Sequence, residues 1–249
     1  MNLSGKVALV TGGAARLGGA ITRGLAQAGA NVVIHYNSSA GPAAERAEEV
    51  HQLGVGALPV QANLADPTAA LRVVDAALER FGRVDVLVHA ASPFKPLSLS
   101  EVTLEAWREI QGVLVESFLL LVQGLAPGMV KRSEGAIVSI LDRGAFEPWP
   151  QFLPHGVGKS ALWALTRSLA VGLAPHVRVN AVIPGPVLPP PGYTEEKEKQ
   201  LAQTTLMERW GNPQDIVDAV LFLVRSDYVT GEALFVDGGE RWAHRRSGS

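Results

Sequence analysis

The chain contains no cysteine. That one absence excludes disulfides, thiolate metal sites and cysteine nucleophiles together. The opening MNLSGKVALVTGG has no basic-then-apolar signal pattern. No uninterrupted apolar run reaches membrane-span length, and ALWALTRSLAVGLA is broken by Arg167. A cytoplasmic location is the expectation. No basic stripe runs along any segment, and a formal charge of −2 offers no nucleic-acid surface. Methionine is scarce too, at three residues; with many Ala, Pro and Arg this suits a heat-adapted source. Charged residues make up only 18% against 47% apolar, which excludes a disordered chain. At 249 residues the length is ordinary for one α/β domain with a substantial core.

What is present is an alternation of short β-branched runs with longer helix-period segments. Strands are predicted over Lys6–Gly12, Asn31–Tyr36, Ala57–Asn63, Val84–Ala91, Gly135–Leu141, Val177–Gly185 and Ala233–Gly239. Helices are predicted over Ala20–Ala28, Ala43–Leu53, Thr68–Phe81, Leu104–Lys131, Gly156–Leu173 and Pro213–Val224. Continuous apolar strands separated by helices imply a parallel sheet covered on both faces. The right-handed crossover rule then gives a doubly wound, Rossmann-type α/β sheet of about seven strands in a single domain, 1–249. No linker or repeat divides it. One irregular stretch, PGPVLPPPGYTEEKEKQ, follows a strand end; its prolines forbid regular structure and its charges then suit an exposed helix. An insertion near 186–206 reads as a substrate lid, the alternative being a plain surface insertion.

TGGAARLG, Thr11 to Gly18, ends the first strand and opens the first helix. Gly12 lets the chain turn sharply, Gly18 lets helix and sheet pack closely, and the N–H groups at the helix start suit a pyrophosphate. Arg16 stands where such loops often carry another glycine. Its planar guanidinium suits an oxyanion, although a surface helix-start arginine is the plain alternative. The second strand ends IHYNSSA with no acid to hold ribose hydroxyls. Asn37, Ser38 and Ser39 would not repel a 2′-phosphate, which favours NADPH over NADH. Asn63 is either an adenine contact or a turn residue.

Taken together, TGGAARLG, HAAS, HGVGK, RVNAVIPGPV, RWGNPQDI and GEALFVDGG resemble the short-chain dehydrogenase/reductase family over nearly the whole chain. Arg16, Asp142 and the ASPF stretch that carries Phe94 resemble its pteridine reductase branch. HYNSSA also resembles that branch's phosphate-binding strand end, with Ser38 in place of a basic residue. The resemblance implies cofactor contacts from Gly12, Arg16, Leu17 and Gly18, and from Tyr36, Asn37, Ser38 and Ser39. It adds Asn63 and Leu64, then Ala90 and Ala91, then Lys159, and finally Pro184 and Gly185. Substrate contacts are implied for Arg16, Ser92, Phe94, Asp142 and His155. No metal is expected. Phe94 would stack on a flat heteroaromatic ring; the alternative is a loop phenylalanine tucked into the core.

The same resemblance places His155 where the family has its catalytic tyrosine, with Lys159 one helical turn on and on the same face. The implied catalytic set is therefore Asp142, His155 and Lys159. The positive charge of Lys159 is expected to disfavour imidazolium at His155 and a nearby Asp142 to favour it, so an Asp–His pair reads as a replacement acid; a harmless remnant is the alternative. Leu114 falls where the family has an asparagine that holds a relay water, and leucine cannot hydrogen-bond. His89 replaces the first asparagine of the motif after the fourth strand, with a structural hydrogen bond as its expected role. These readings imply an NADPH-dependent reductase of a pterin or related flat carbonyl or imine. A generic carbonyl or 3-oxoacyl reductase, and a catalytically weak NADP(H)-binding sensor or partner subunit, are the alternatives. Homotetramer assembly is implied through FLLLVQGLAPGM and ALWALTRSLA, and the basic tail from Glu240 to Ser249 either reaches a neighbour's site or frays.

Overall fold

A computed structural model describes residues 1–190 and 192–245. Pro191 of the irregular stretch and the last four residues of the basic tail lie outside the described residues. Seven strands form one parallel sheet: β1 (Val7–Thr11), β2 (Asn31–Tyr36), β3 (Ala57–Gln61), β4 (Val86–His89), β5 (Gly135–Ile140), β6 (Val177–Pro184) and β7 (Ala233–Val236). Their order is β3-β2-β1-β4-β5-β6-β7, the doubly wound arrangement expected. Every residue of β1, β4 and β5 is buried, which is why these strands read as unbroken apolar runs.

Helices cover both faces: α1 (Arg16–Gln27), α2 (Ala40–Gln52), α3 (Pro67–Phe81), α4 (Leu104–Gln111), α5 (Ser117–Lys131), α6 (Leu153–Leu173), α7 (Glu195–Ala202) and α8 (Pro213–Arg225). One apolar cluster packs α1, α2 and α8 on one face, and the other packs α3, α5 and α6 on the opposite face. The strand order reverses between β1 and β4, where Thr11 pairs with His89. That reversal opens a crevice at the carboxyl ends of the central strands.

Three differences from the sequence expectations matter. The helix α1 begins at Arg16 rather than Ala20, because the chain turns helical as soon as it leaves the glycine loop, in spite of Gly18 and Gly19. The helix α6 begins at Leu153, where Pro154 suits a first turn that needs no N–H. From Leu104 to Lys131 the chain is one continuous helix with a π turn over Gly112–Glu116, and it has the length and apolar composition of a membrane span. Polar residues such as Glu116 and Gln123 interrupt the apolar run without much lowering its mean hydropathy. Phe118, Leu121, Leu125 and Met129 face the sheet, so this is the core helix of its layer.

Candidate active site

The glycine loop is shaped by contacts that admit no side chain. A Cβ on Gly18 would lie 2.1 Å from the Gly12 carbonyl oxygen. Gly12 has φ +64° and packs on Ala91 at the end of β4. Arg16 also adopts the left-handed region, at φ +49°, where glycine is favoured. The first turn of α1 has no side-chain cap and no acidic residue. An uncapped helix start beside two tightly packed glycines fits a dinucleotide's phosphates.

Two buried histidines tie this loop to its neighbours. His35, on β2, accepts the Gly12 N–H at Nδ1 (3.1 Å), and its Nε2–H donates to the Ala62 carbonyl (3.0 Å). Burial pushes its pKa down to about 4, so it is neutral near pH 7. Thr11 Oγ1 accepts from the N–H groups of Ala90 and Ala91 and donates to His89 Nδ1 at 3.1 Å. His89 is thus the structural histidine expected, and burial pushes its pKa down to about 3. The roles of His35 and Thr11 were missed from sequence; the one available signal was a polar residue inside each apolar strand.

Most of the other residues expected to hold the nucleotide lie at the carboxyl ends of β2, β3 and β6. Asn37 and Ser38 are exposed beyond β2, with Tyr36 and Ser39 partly so, and no acid stands among them. Asn63 Oδ1 accepts the Ala65 N–H, a turn role, while Leu64 is buried beside it. Leu17 packs against the α1 side of the core. Pro184 ends β6, and the Gly185 N–H donates to the Val236 carbonyl.

Across the crevice, Asp142 follows β5 and His155 and Lys159 lie on α6. His155 Nε2 is 2.6 Å from Asp142 Oδ2, and His155 Nδ1 is 3.0 Å from the Pro93 carbonyl oxygen. A carbonyl can only accept, so Nδ1 carries a hydrogen. A neutral imidazole would then turn a bare Nε2 lone pair toward a carboxylate. The pair therefore holds one proton between Nε2 and Oδ2. Hydrogen bonding from His155 and the charge of Lys159 outweigh burial and hold the Asp142 carboxyl below its usual range. Burial pushes the Lys159 pKa down, opposed by Asp142. Its Nζ donates to the Ile140 carbonyl (2.7 Å) and lies 3.9 Å from Asp142 Oδ2.

The exposure of the pair is unequal: the His155 side chain is 1% exposed and that of Asp142 is 22%. The sequence reading gave both residues to substrate. With both ring nitrogens engaged and the ring buried, it is Asp142 that meets the crevice. Leu114, on the π turn, is fully buried and packs on α6, where a Cβ on Gly158 would lie 2.7 Å from Leu114 Cδ1. An apolar side chain thus packs beside the residue that precedes Lys159.

Phe94 is 56% exposed, which rules out the core alternative. Its ring stacks on Phe152 at 4.4 Å and meets the edge of His155 at 5.0 Å. Ser92 is exposed on the same loop. Arg16 is exposed and reaches the irregular stretch, where Nη2 donates to the carbonyls of Leu188 and Pro189 (3.4 and 3.2 Å). The predicted exposed helix there is α7, none of whose residues is buried. A cavity of about 570 Å³ beside β6 and β7, lined in part by Gly185, Thr205 and Asp237, contains none of Asp142, His155, Lys159 or Phe94. The polar convergence lies in the crevice instead. Among the described residues, no group of His, Asp and Glu has the arrangement of a metal site.

Residues 13–240 match the family described as Enoyl-(Acyl carrier protein) reductase. The chain belongs to the short-chain dehydrogenase/reductase family. Membership makes it an NAD(P)-dependent oxidoreductase in class. Among similar proteins, dehydrogenase/reductase SDR family member 4 of Homo sapiens is 34% identical, over 95% of this chain and 88% of its own. L-rhamnose 1-dehydrogenase (NADP(+)) of Thermoplasma acidophilum is 32% identical, over 96% and 97%. A blue fluorescent protein from a metagenomic library, solved in complex with NADPH, superposes with a TM-score of 0.88 at 33% identity, covering 96% of this chain and 99% of that one. L-sorbose reductase of Gluconobacter frateurii, solved with NADPH and L-sorbose, gives a TM-score of 0.90 at 29% identity, over 96% and 98%.

Proposed function

We propose that this chain is an NADPH-dependent reductase whose substrate is a pterin or a related flat carbonyl or imine, and whose proton source is the Asp142–His155 pair. The observation that carries the reading is the 2.6 Å contact between His155 Nε2 and Asp142 Oδ2 beside the half-exposed ring of Phe94. NADPH, when bound, supplies the hydride. The phosphorylated form is favoured by the neutral surface at Asn37 and Ser38, and structurally similar proteins were solved with NADPH. Gly12, Gly18 and the start of α1 would hold its phosphates, and Lys159 its nicotinamide ribose.

The chain's own chemistry is the delivery of one proton. Asp142, the partly exposed partner, passes the shared proton to the developing oxyanion or amide nitrogen. The emptied pair would leave two lone pairs facing each other, so it regains a proton from the crevice through the exposed edge of Asp142. Phe94 offers its ring to a planar substrate, and Arg16 and the 186–206 segment close over it as a lid. Leu114 fills space behind Lys159, which leaves the crevice as the route for that proton.

A generic carbonyl reductase is the second reading, favoured by similarity to proteins named for sugar substrates. A panel of dihydropterins, 3-oxoacyl esters and sugars assayed for NADPH oxidation separates the two. The pterin reading expects Phe94→Ala to raise KM for the dihydropterin about tenfold, and activity confined to 3-oxoacyl or sugar substrates would overturn it. His155→Tyr tests the proton source: a loss of kcat is expected. A large gain would show the pair to be a weakened relay, and tight NADPH binding with no turnover on any substrate would favour a sensor. Cytoplasmic residence and a homotetramer built on α5 and α6 belong to the same proposal.

A further inference from the structure

His35 stands outside the proton-transfer machinery, yet it is bonded to the turns that follow both β1 and β3. It is 2% exposed. Its ring and backbone make three bonds to two other strand ends. Nδ1 accepts from the Gly12 N–H after β1, and its own carbonyl accepts from the Gly13 N–H (2.9 Å). Nε2 donates to Ala62, which precedes Asn63 after β3. The Ala62 N–H returns a bond to the Tyr36 carbonyl (2.9 Å), closing the seam between β2 and β3.

We infer that His35 is a positioning residue for the dinucleotide: one neutral imidazole that joins the three strand ends against which the adenosine half binds. The inference rests on the nucleotide-site reading above and adds a residue to it. The tautomer follows from the partners. A backbone N–H can only donate, so Nδ1 carries no hydrogen; a carbonyl can only accept, so Nε2 must carry one. Acceptor and donor lie on opposite sides of one rigid ring, which sets the distance between the Gly12 turn and the Ala62 turn. An aliphatic side chain of similar bulk offers neither group and leaves two buried backbone groups without partners. The glycine loop would then lose its fixed position relative to Asn37, Ser38 and Asn63, while Asp142, His155 and Lys159 would keep theirs.

That separation is what the experiment reads. Binding of NADPH and of adenosine 2′,5′-bisphosphate, which carries only the adenosine half, is measured by calorimetry on the full chain at pH 8. The same samples are assayed for kcat at saturating NADPH. His35→Leu is expected to weaken both ligands about tenfold or more, with kcat within about twofold of the parent protein. His35→Gln, which keeps an acceptor and a donor, is expected to recover part of the lost affinity. Should the leucine variant not fold, His35→Asn, too short to reach both partners, takes its place with the same expected losses. A folded leucine or asparagine variant that binds both ligands within twofold of the parent overturns the inference. So does an equal loss in the leucine and glutamine variants, or a loss confined to kcat. A parent protein that binds neither ligand refutes the nucleotide site itself, which is a different failure.

Discussion

Around the glycine loop the buried polar side chains are neutral: His35 between Gly12 and Ala62, and Thr11 between His89 and the N–H groups of Ala90 and Ala91. On the other side of the crevice the partners are ionisable groups arranged around one shared proton: Asp142, His155 and Lys159. Neutral groups such as His35 and Thr11, paired in a low-dielectric interior, make a rigid frame that ignores pH near neutrality. A carboxylate–imidazole pair with one exposed edge must respond to pH, and to any change in either partner. Cofactor binding and turnover should therefore be separable by mutation, and each half should fail in its own way.

The largest effect is expected from Asp142→Asn. Nitrogen or oxygen of the amide still meets His155, but the side chain no longer carries a transferable proton, so kcat should drop by about 10²–10⁴-fold. Calorimetry should find NADPH affinity within about twofold; a parallel loss of binding would break the division between the halves. Gly18→Ala probes the opposite half. Its Cβ would enter the space of the Gly12 carbonyl, and overpacking of this kind costs about 1–3 kcal/mol. Denaturant titration should register that loss, together with weakened NADPH binding.

Acid sharpens the comparison further. Burial holds the folded pKa of His35 at about 4, below the ordinary histidine value of 6.5. Between those values the unfolded chain binds a proton that the folded chain does not, so stability falls as pH drops through that window. The slope from His35 approaches about 1.4 kcal/mol per pH unit. Urea midpoints at pH 6.5, 5.5 and 4.5 should show a shallower fall in His35→Gln than in the parent protein. The smallest effect is expected at Arg16. Replacing it by glycine removes a left-handed non-glycine residue and should stabilise the chain by about 0.5 kcal/mol, after the greater freedom of an unfolded glycine is counted. The same change removes the contacts to Leu188 and Pro189, so substrate KM should rise while stability does not fall.

The strands were legible because a two-sided parallel sheet demands unbroken apolar runs, and NVVIHY and GAIVSI could serve nothing else. The glycine loop was legible because close backbone approach leaves no choice of residue. The π turn over Gly112–Glu116 was not, since a single i→i+5 turn leaves no periodic mark on an apolar helix. Nor was the role of His35: within an apolar strand its polarity looks incidental until the Gly12 and Ala62 turns are brought to its two nitrogens. Asp142 and His155 could be named from sequence as partners, but not ranked. Only burial, with Pro93 capping Nδ1, turns the carboxylate rather than the imidazole toward the crevice.

Single-turnover transfer of deuterium from C4-labelled NADPH to a dihydropterin, followed across pH in the parent protein and in Asp142→Asn, tests the shared-proton site most directly. Label should appear in the pterin product of the parent at a rate that falls as the pair loses its proton with rising pH, and the asparagine variant should bind NADPH yet transfer label at least a hundredfold more slowly, at the lower end of the effect of a missing general acid. Equal rates in the two proteins, or a pH-independent rate in the parent, would contradict it.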